Sequence, residues 1–173
     1  GRSVTSSRQA LPFAVEEFIT SDVEDVHIAY QSIRPNQPVH CSVINTARLD
    51  FWLNLLSGSG VTPGAVVSQA QLIRPNANEA ALLFEADQVV VVTEDQDALI
   101  DRDTVPDILD TLDVASLTCI GGSLTDLELG QLSTAPTLNI IETSPMQYLL
   151  ERLSPTGGGL VSHPNLLNLL QGS

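Results

Sequence analysis

Ala80-Ala81-Leu82-Leu83-Phe84-Glu85, Gln88-Val89-Val90-Val91-Val92-Thr93 and Ala98-Leu99-Ile100-Asp101 lie one after another with only Glu-Ala-Asp and Glu-Asp-Gln-Asp turns between them. β-Branched runs this short, punctuated by acidic turns, read as a compact meander of strands. Downstream, Thr104 caps a helix with Pro106 in its first turn, and Ile108, Leu109 and Leu112 continue its apolar side. Ser116-Leu117-Thr118-Cys119-Ile120 is a buried strand stopped by Gly121-Gly122, and Ser144 to Leu153 is a further helix. The order of strands and helices makes the chain α+β.

Upstream, Arg74-Pro75-Asn76-Ala77-Asn78-Glu79 is a cluster of turn formers and the best candidate boundary. Before it, Leu11, Val15, Phe18 and Ile19 recur at helical spacing, so residues 7–19 are expected as a helix disturbed at Pro12. Residues 26–33 and 39–45 read as a hairpin around Pro35-Asn36-Gln37-Pro38. Leu49, Phe51, Trp52, Leu53, Leu55 and Leu56 form a short helix ended by Gly58 and Gly60, with Trp52 expected in the core. Residues 61–67 suggest another strand. The expected organisation is a small unit at 1–69, a second at 70–159, and a tail at 160–173. The tail follows a Gly157-Gly158-Gly159 joint and is expected not to pack as a core element.

Composition removes several classes of chemistry. The 173 residues carry 7 Lys+Arg against 21 Asp+Glu, a net charge of -14, so nucleic acid is not an expected partner. All the cations are arginine; without lysine there is no Walker-type phosphate contact and no Schiff base. Cys41 and Cys119 have no ligand-spaced neighbours, and His40 beside Cys41 would point to the opposite face of a strand, so no structural zinc site is expected. No apolar run is long enough to span a bilayer, and the N-terminus lacks a signal peptide's apolar region, so the chain as given reads as soluble.

The acids crowd into residues 79–113, but an EF-hand frame starting at Asp95 puts Ile100 where glycine is required and Pro106 at the twelfth position. They read as a solvated surface, with partner docking and a weak divalent site as alternatives. Gly58-Ser59-Gly60 and Gly122-Ser123 lack nucleophile-elbow spacing, so no catalytic residue, metal or cofactor is expected. Gly121-Gly122-Ser123 after a buried strand could offer backbone N–H groups to a phosphate, but a plain strand-to-loop turn is the preferred reading.

Gln9-Ala10-Leu11-Pro12-Phe13-Ala14-Val15-Glu16-Glu17-Phe18, followed by Ser21-Asp22-Val23-Glu24-Asp25-Val26-His27-Ile28-Ala29, resembles a segment of the type II secretion system protein L family. Asn165-Leu166-Leu167-Asn168-Leu169-Leu170-Gln171-Gly172 resembles the signature preceding that family's membrane helix. The resemblance covers nearly the whole chain. It implies the cytoplasmic part of an inner-membrane protein, lacking its first domain, its membrane helix and its periplasmic domain. The implied fold is that of actin-like ATPases, with RNase H-like units and a smaller inserted one.

By the same resemblance, Gly121, Gly122 and Ser123 look like a degenerate adenosine-side loop. The implied function is a non-enzymatic scaffold on the cytoplasmic side of the bacterial inner membrane. It would bind the N-terminal domain of the secretion ATPase (the E component) and couple it to components M, C and F, with a homodimer left open. Glu16, Glu17, Asp22, Glu24 and Asp25 are the candidate ATPase-binding residues, because the family-like signature concentrates there. An actin-like nucleotide-binding protein related to pilus assembly is the alternative.

Overall fold

A computed structural model describes residues 4–31, 39–153 and 166–171, with side chains from Ala10 onward. The expected turn at 35–38, the end of the first hairpin strand, the Gly157-Gly159 joint and residues 160–165 lie outside the described residues. Two compact units divide the chain: one is drawn from Gly1–Ser68 and Asn165–Ser173, the other is Gln69–Pro164. The first is therefore discontinuous in sequence.

In the first unit, helix α1 (Val4–Glu16) runs through Pro12 and stops three residues short of the expected end. Phe18 N–H bonds the Val15 carbonyl at 2.9 Å in a closing turn, and the Phe18 side chain is 86% exposed, so no burial rewards another helical turn. A 3-10 turn (Val23–Asp25) leads into β1 (Val26–Tyr30), which pairs antiparallel with β2 (Cys41–Asn45), Ile28 opposite Val43. β2 passes directly into α2 (Thr46–Gly58), because Asn45 caps it: its Oδ1 accepts from Arg48 N–H at 3.0 Å. Gly60, at φ +75°, closes that helix as expected.

Residues 61–67 do not form the expected strand. Val66 instead donates to Asn168 Oδ1 at 3.0 Å and accepts from Leu169 N–H at 2.7 Å. The tail is thus no free appendage: Leu167 and Leu169 are buried against Ala29, Ile44 and Val66. The two leucines remove apolar area from water against the fully buried Ala29 of the two-stranded sheet. The sequence-based expectation of an unpacked tail is corrected accordingly.

In the second unit, α3 (Gln69–Leu72) precedes a five-stranded sheet of β3 (Glu79–Glu85), β4 (Gln88–Thr93), β5 (Asp97–Asp101), β6 (Ser116–Ile120) and β7 (Thr137–Ile141), in the order β5-β4-β3-β6-β7. The meander β3–β4–β5 is antiparallel, whereas β6 runs parallel to β3 and β7 parallel to β6. Helices α4 (Val105–Leu109), α5 (Asp126–Leu129) and α6 (Pro145–Leu153) complete it.

Central strands covered on both faces read as unbroken apolar runs, and β3 and β4 do. Ala80, Leu82, Val89, Val91, Leu117 and Cys119 pack with Val105 and Leu109 on one face. Ala81, Leu83, Val90, Val92 and Ile120 pack with Ala70, Ile73 and Leu149 on the other. α5 and β7 fall in residues 124–143, to which sequence reading assigns no element. They are short and, in β7, half-exposed.

Candidate functional site

Five acids cluster on the first unit. Glu16 is the last residue of α1, Glu17 follows it, and Asp22 precedes the 3-10 turn that contains Glu24 and Asp25. All five are exposed, and among the described residues none forms an ion pair. Phe13 (70% exposed) and Phe18 (86%) accompany them in sequence, so the surface combines aromatic rings with negative charge. Helical periodicity placed Phe18 on the buried side and Trp52 in the core. Trp52 is instead 43% exposed, with Phe51 and Leu55 exposed on the same helix, because α2 buries itself through Leu49.

Gly121, Gly122 and Ser123 sit where β6 ends, but the sheet and its neighbours already use the glycines. Gly121 (φ +73°) donates its N–H to the Ile141 carbonyl at 3.0 Å. A Cβ there would lie 2.5 Å from Pro145 Cδ, and one on Gly122 2.7 Å from Phe84 Cγ. Close approach of a helix start and an aromatic ring is a sufficient reason for both glycines. Ser123 is exposed. Gly122→Ala should therefore cost about 1–3 kcal/mol of unit stability through overpacking against Phe84, read as a lower urea midpoint; an unchanged midpoint would refute the packing role.

The acidic run at 79–113 does not close around a cation. Asp87, Asp101 and Asp103 line an open depression of about 760 Å³ together with Arg102 and Glu128. Among the described residues, no three His, Cys, Asp or Glu side chains are placed to share a metal. Arg102 forks onto the Glu128 carboxylate and lies 5.3 Å from the Phe84 ring centroid.

Glu128 was not singled out by the sequence reading, although Thr125-Asp126-Leu127-Glu128 carries the signal. It is a capping box in which Thr125 N–H and Oγ1 bond Glu128 Oε2 at 2.7 and 2.8 Å. The Arg102 guanidinium holds the Glu128 carboxyl at about 2, with the Thr125 bonds adding to it and burial opposing. Burial pushes the nearby Cys119 thiol up to about 11. These are the marks of a structural knot rather than of a reactive centre.

The architecture defines a class: a mixed α+β protein of two units and two sheets. It is similar to the cytoplasmic domain of EpsL, an inner-membrane component of the type II secretion system of Vibrio cholerae, at 20% identity and a TM-score of 0.69. That match covers 99% of this chain and 71% of the other. The family model for type II secretion system (T2SS) protein L matches residues 2–153, and the chain belongs to that family. No protein of curated function matches it.

Proposed function

We propose that the chain is a non-enzymatic scaffold of the type II secretion inner-membrane platform, on the cytoplasmic side, that recruits the secretion ATPase to components M, C and F. The family match carries this reading. The sheet supports the RNase H-like assignment of the second unit: a three-stranded meander continued by two parallel strands, with helices on both faces. Glycines packed under Pro145 and Phe84 favour a scaffold over a nucleotide-binding protein.

The docking residues are Glu16, Glu17, Asp22, Glu24 and Asp25, beside Phe13 and Phe18. Exposed carboxylates of one sign steer a partner with clustered arginines and fix its register, while the rings supply apolar area. Tail residues 166–171, which by resemblance precede a membrane helix, pack on this same unit. A membrane tether would therefore hold the docking surface itself.

Reversing Glu16, Glu17 and Glu24 to lysine is expected to weaken binding of the ATPase's N-terminal domain at least tenfold, about 1.4 kcal/mol, with the loss shrinking as salt rises. Titration of labelled ATPase domain measures it, with circular dichroism to confirm the fold. Unchanged binding would remove the acids from the interface, and the same reversal at Asp101, Asp103 and Asp107 tests the competing acidic surface.

A further inference from the structure

β5 closes one side of the five-stranded sheet, and its register to β4 fixes which of its backbone groups are spare. Thr93 N–H bonds the Gln96 carbonyl and Arg102 N–H the Asp87 carbonyl, both at 2.8 Å. Bonded and non-bonded pairs alternate in an antiparallel ladder, so between these two anchors Ala98 and Ile100 turn their N–H and C=O groups toward β4. Asp97, Leu99 and Asp101 direct theirs outward. The Asp101 carbonyl accepts from Thr104 Oγ1 at 2.8 Å, whereas among the described residues nothing pairs with the outward backbone groups of Asp97 and Leu99.

The side chains of these three residues share one face of the sheet. Leu99, 57% exposed, stands between the carboxylates of Asp97 and Asp101, and exposed Glu94, Asp95 and Asp103 follow beyond the strand ends. The arginines in this region are already engaged, Arg74 with Asp97 and Arg102 with Glu128. Glu94, Asp95, Asp101 and Asp103 are left without an ion pair among the described residues.

We propose that the β5 edge is a docking site for a basic, extended segment of a partner protein, which joins the sheet as an added antiparallel strand. Antiparallel pairing is the more stable kind per residue, and it lets Leu99 exchange both backbone bonds with the residue directly opposite. That residue is aliphatic, because its side chain lies against Leu99. The residues two before and two after it fall opposite Asp101 and Asp97 on the same face, so they are arginine or lysine.

Charge selects this occupant. A second copy of the same edge would set carboxylate against carboxylate, and a neutral strand would leave the unpaired acids uncompensated. An acidic edge thus turns away copies of its own chain and admits a strand of opposite sign. The site lies on the second unit, apart from Glu16, Glu17, Asp22, Glu24 and Asp25 on the first, and does not depend on their role.

The test uses the 173-residue chain and the fluorescein-labelled heptapeptide Thr-Arg-Thr-Val-Thr-Arg-Thr. Fluorescence anisotropy should show saturable binding that weakens about tenfold when the central valine is N-methylated, which removes the donor facing Leu99 and keeps the charge. The peptide with glutamate in place of both arginines should not bind. Hydrogen exchange at the Asp97 and Leu99 amides should slow in the complex. Leu99→Pro deletes an outward N–H and no bond to β4, so it should also weaken binding about tenfold, with the circular dichroism spectrum intact. The proposal fails if the N-methylated peptide binds as tightly as its parent, since attraction of any cation to an acidic chain would then suffice. It fails equally if the Asp97 and Leu99 amides exchange at the same rate with and without peptide, or if folded Leu99→Pro binds undiminished. The peptide and exchange arms need no folded variant.

Discussion

Replacing Leu167 and Leu169 together by alanine is expected to unfold the first unit while the second stays folded. The buried hydrophobic residues of that unit among those described are Val15, Ala29, Leu49, Leu167 and Leu169, so two of its three buried leucines come from the tail. A buried Leu→Ala change costs about 2–5 kcal/mol, and two of them approach the 5–15 kcal/mol that holds an ordinary domain together. The tail is fixed by polar contacts as well. Asn168 Oδ1 accepts from Val66 and Leu170 N–H, both at 3.0 Å, and Gln171 Oε1 accepts from Tyr30 N–H at 3.3 Å.

In urea the natural chain should show both units folded, and the double variant should lose the transition of the first unit already in buffer. Hydrogen exchange would report it locally: amides of β1 and β2 should lose protection while those of β3 and β4 keep it. Retained protection in β1 and β2 would mean that the hairpin and α2 stand without the tail.

The meander, β6 and α6 were legible because each is an apolar run bounded by turn chemistry, and a strand covered on both faces needs no alternation to be found. The same logic fails at the periphery. Thr137 to Ile141 is a strand that neighbours hold on one side only, and α5 is four residues whose capping box outweighs its hydrophobicity. Phe18 and Trp52 show a second limit: helical spacing says neither where a helix stops nor which face meets the core, and here Phe18 lies beyond the end of α1 and Trp52 lies outward on α2, while Val15 and Leu49 are buried. The third concerns distance along the chain. Val66 and Asn168 meet across 102 residues, and nothing local in 61–67 distinguishes a strand seeking a ladder from a segment held by a remote asparagine.

The candidate site divides in the same way. The five acids are plain in the sequence because charge is local. The Arg102–Glu128 pair joins the end of β5 to α5 across 26 residues and shows only in three dimensions.

That pair should make the second unit acid-sensitive through one residue. Glu128 has a side chain 9% exposed, holds the Arg102 fork, and accepts two bonds from Thr125. Its carboxyl, held at about 2 against an ordinary 4.5, favours the folded state whenever the unfolded chain would be ionised. The contribution is therefore complete above about pH 4.5 and disappears as pH falls from there through about 2.

A shift of this size corresponds to roughly 3 kcal/mol at 1.36 kcal/mol per unit. It is reduced to about 2 kcal/mol because Arg102 remains a third exposed to solvent. Glu128→Gln keeps the shape and a carbonyl oxygen for Thr125 but removes the charge. At pH 7 it should lower the stability of the second unit by about 2–4 kcal/mol, including the cost of leaving Arg102 without its anion. Toward pH 2.5 the two proteins should converge.

Comparing them at each pH matters because the other carboxylates of this acidic chain also titrate, and protonating them relieves self-repulsion in both proteins alike. Urea melts of the natural chain and the variant between pH 7 and pH 2.5 measure the difference, and the common background cancels. A gap independent of pH would show that Glu128 acts by packing alone, whereas a gap that closes would assign to this one buried carboxylate the tie between the meander and the parallel strands.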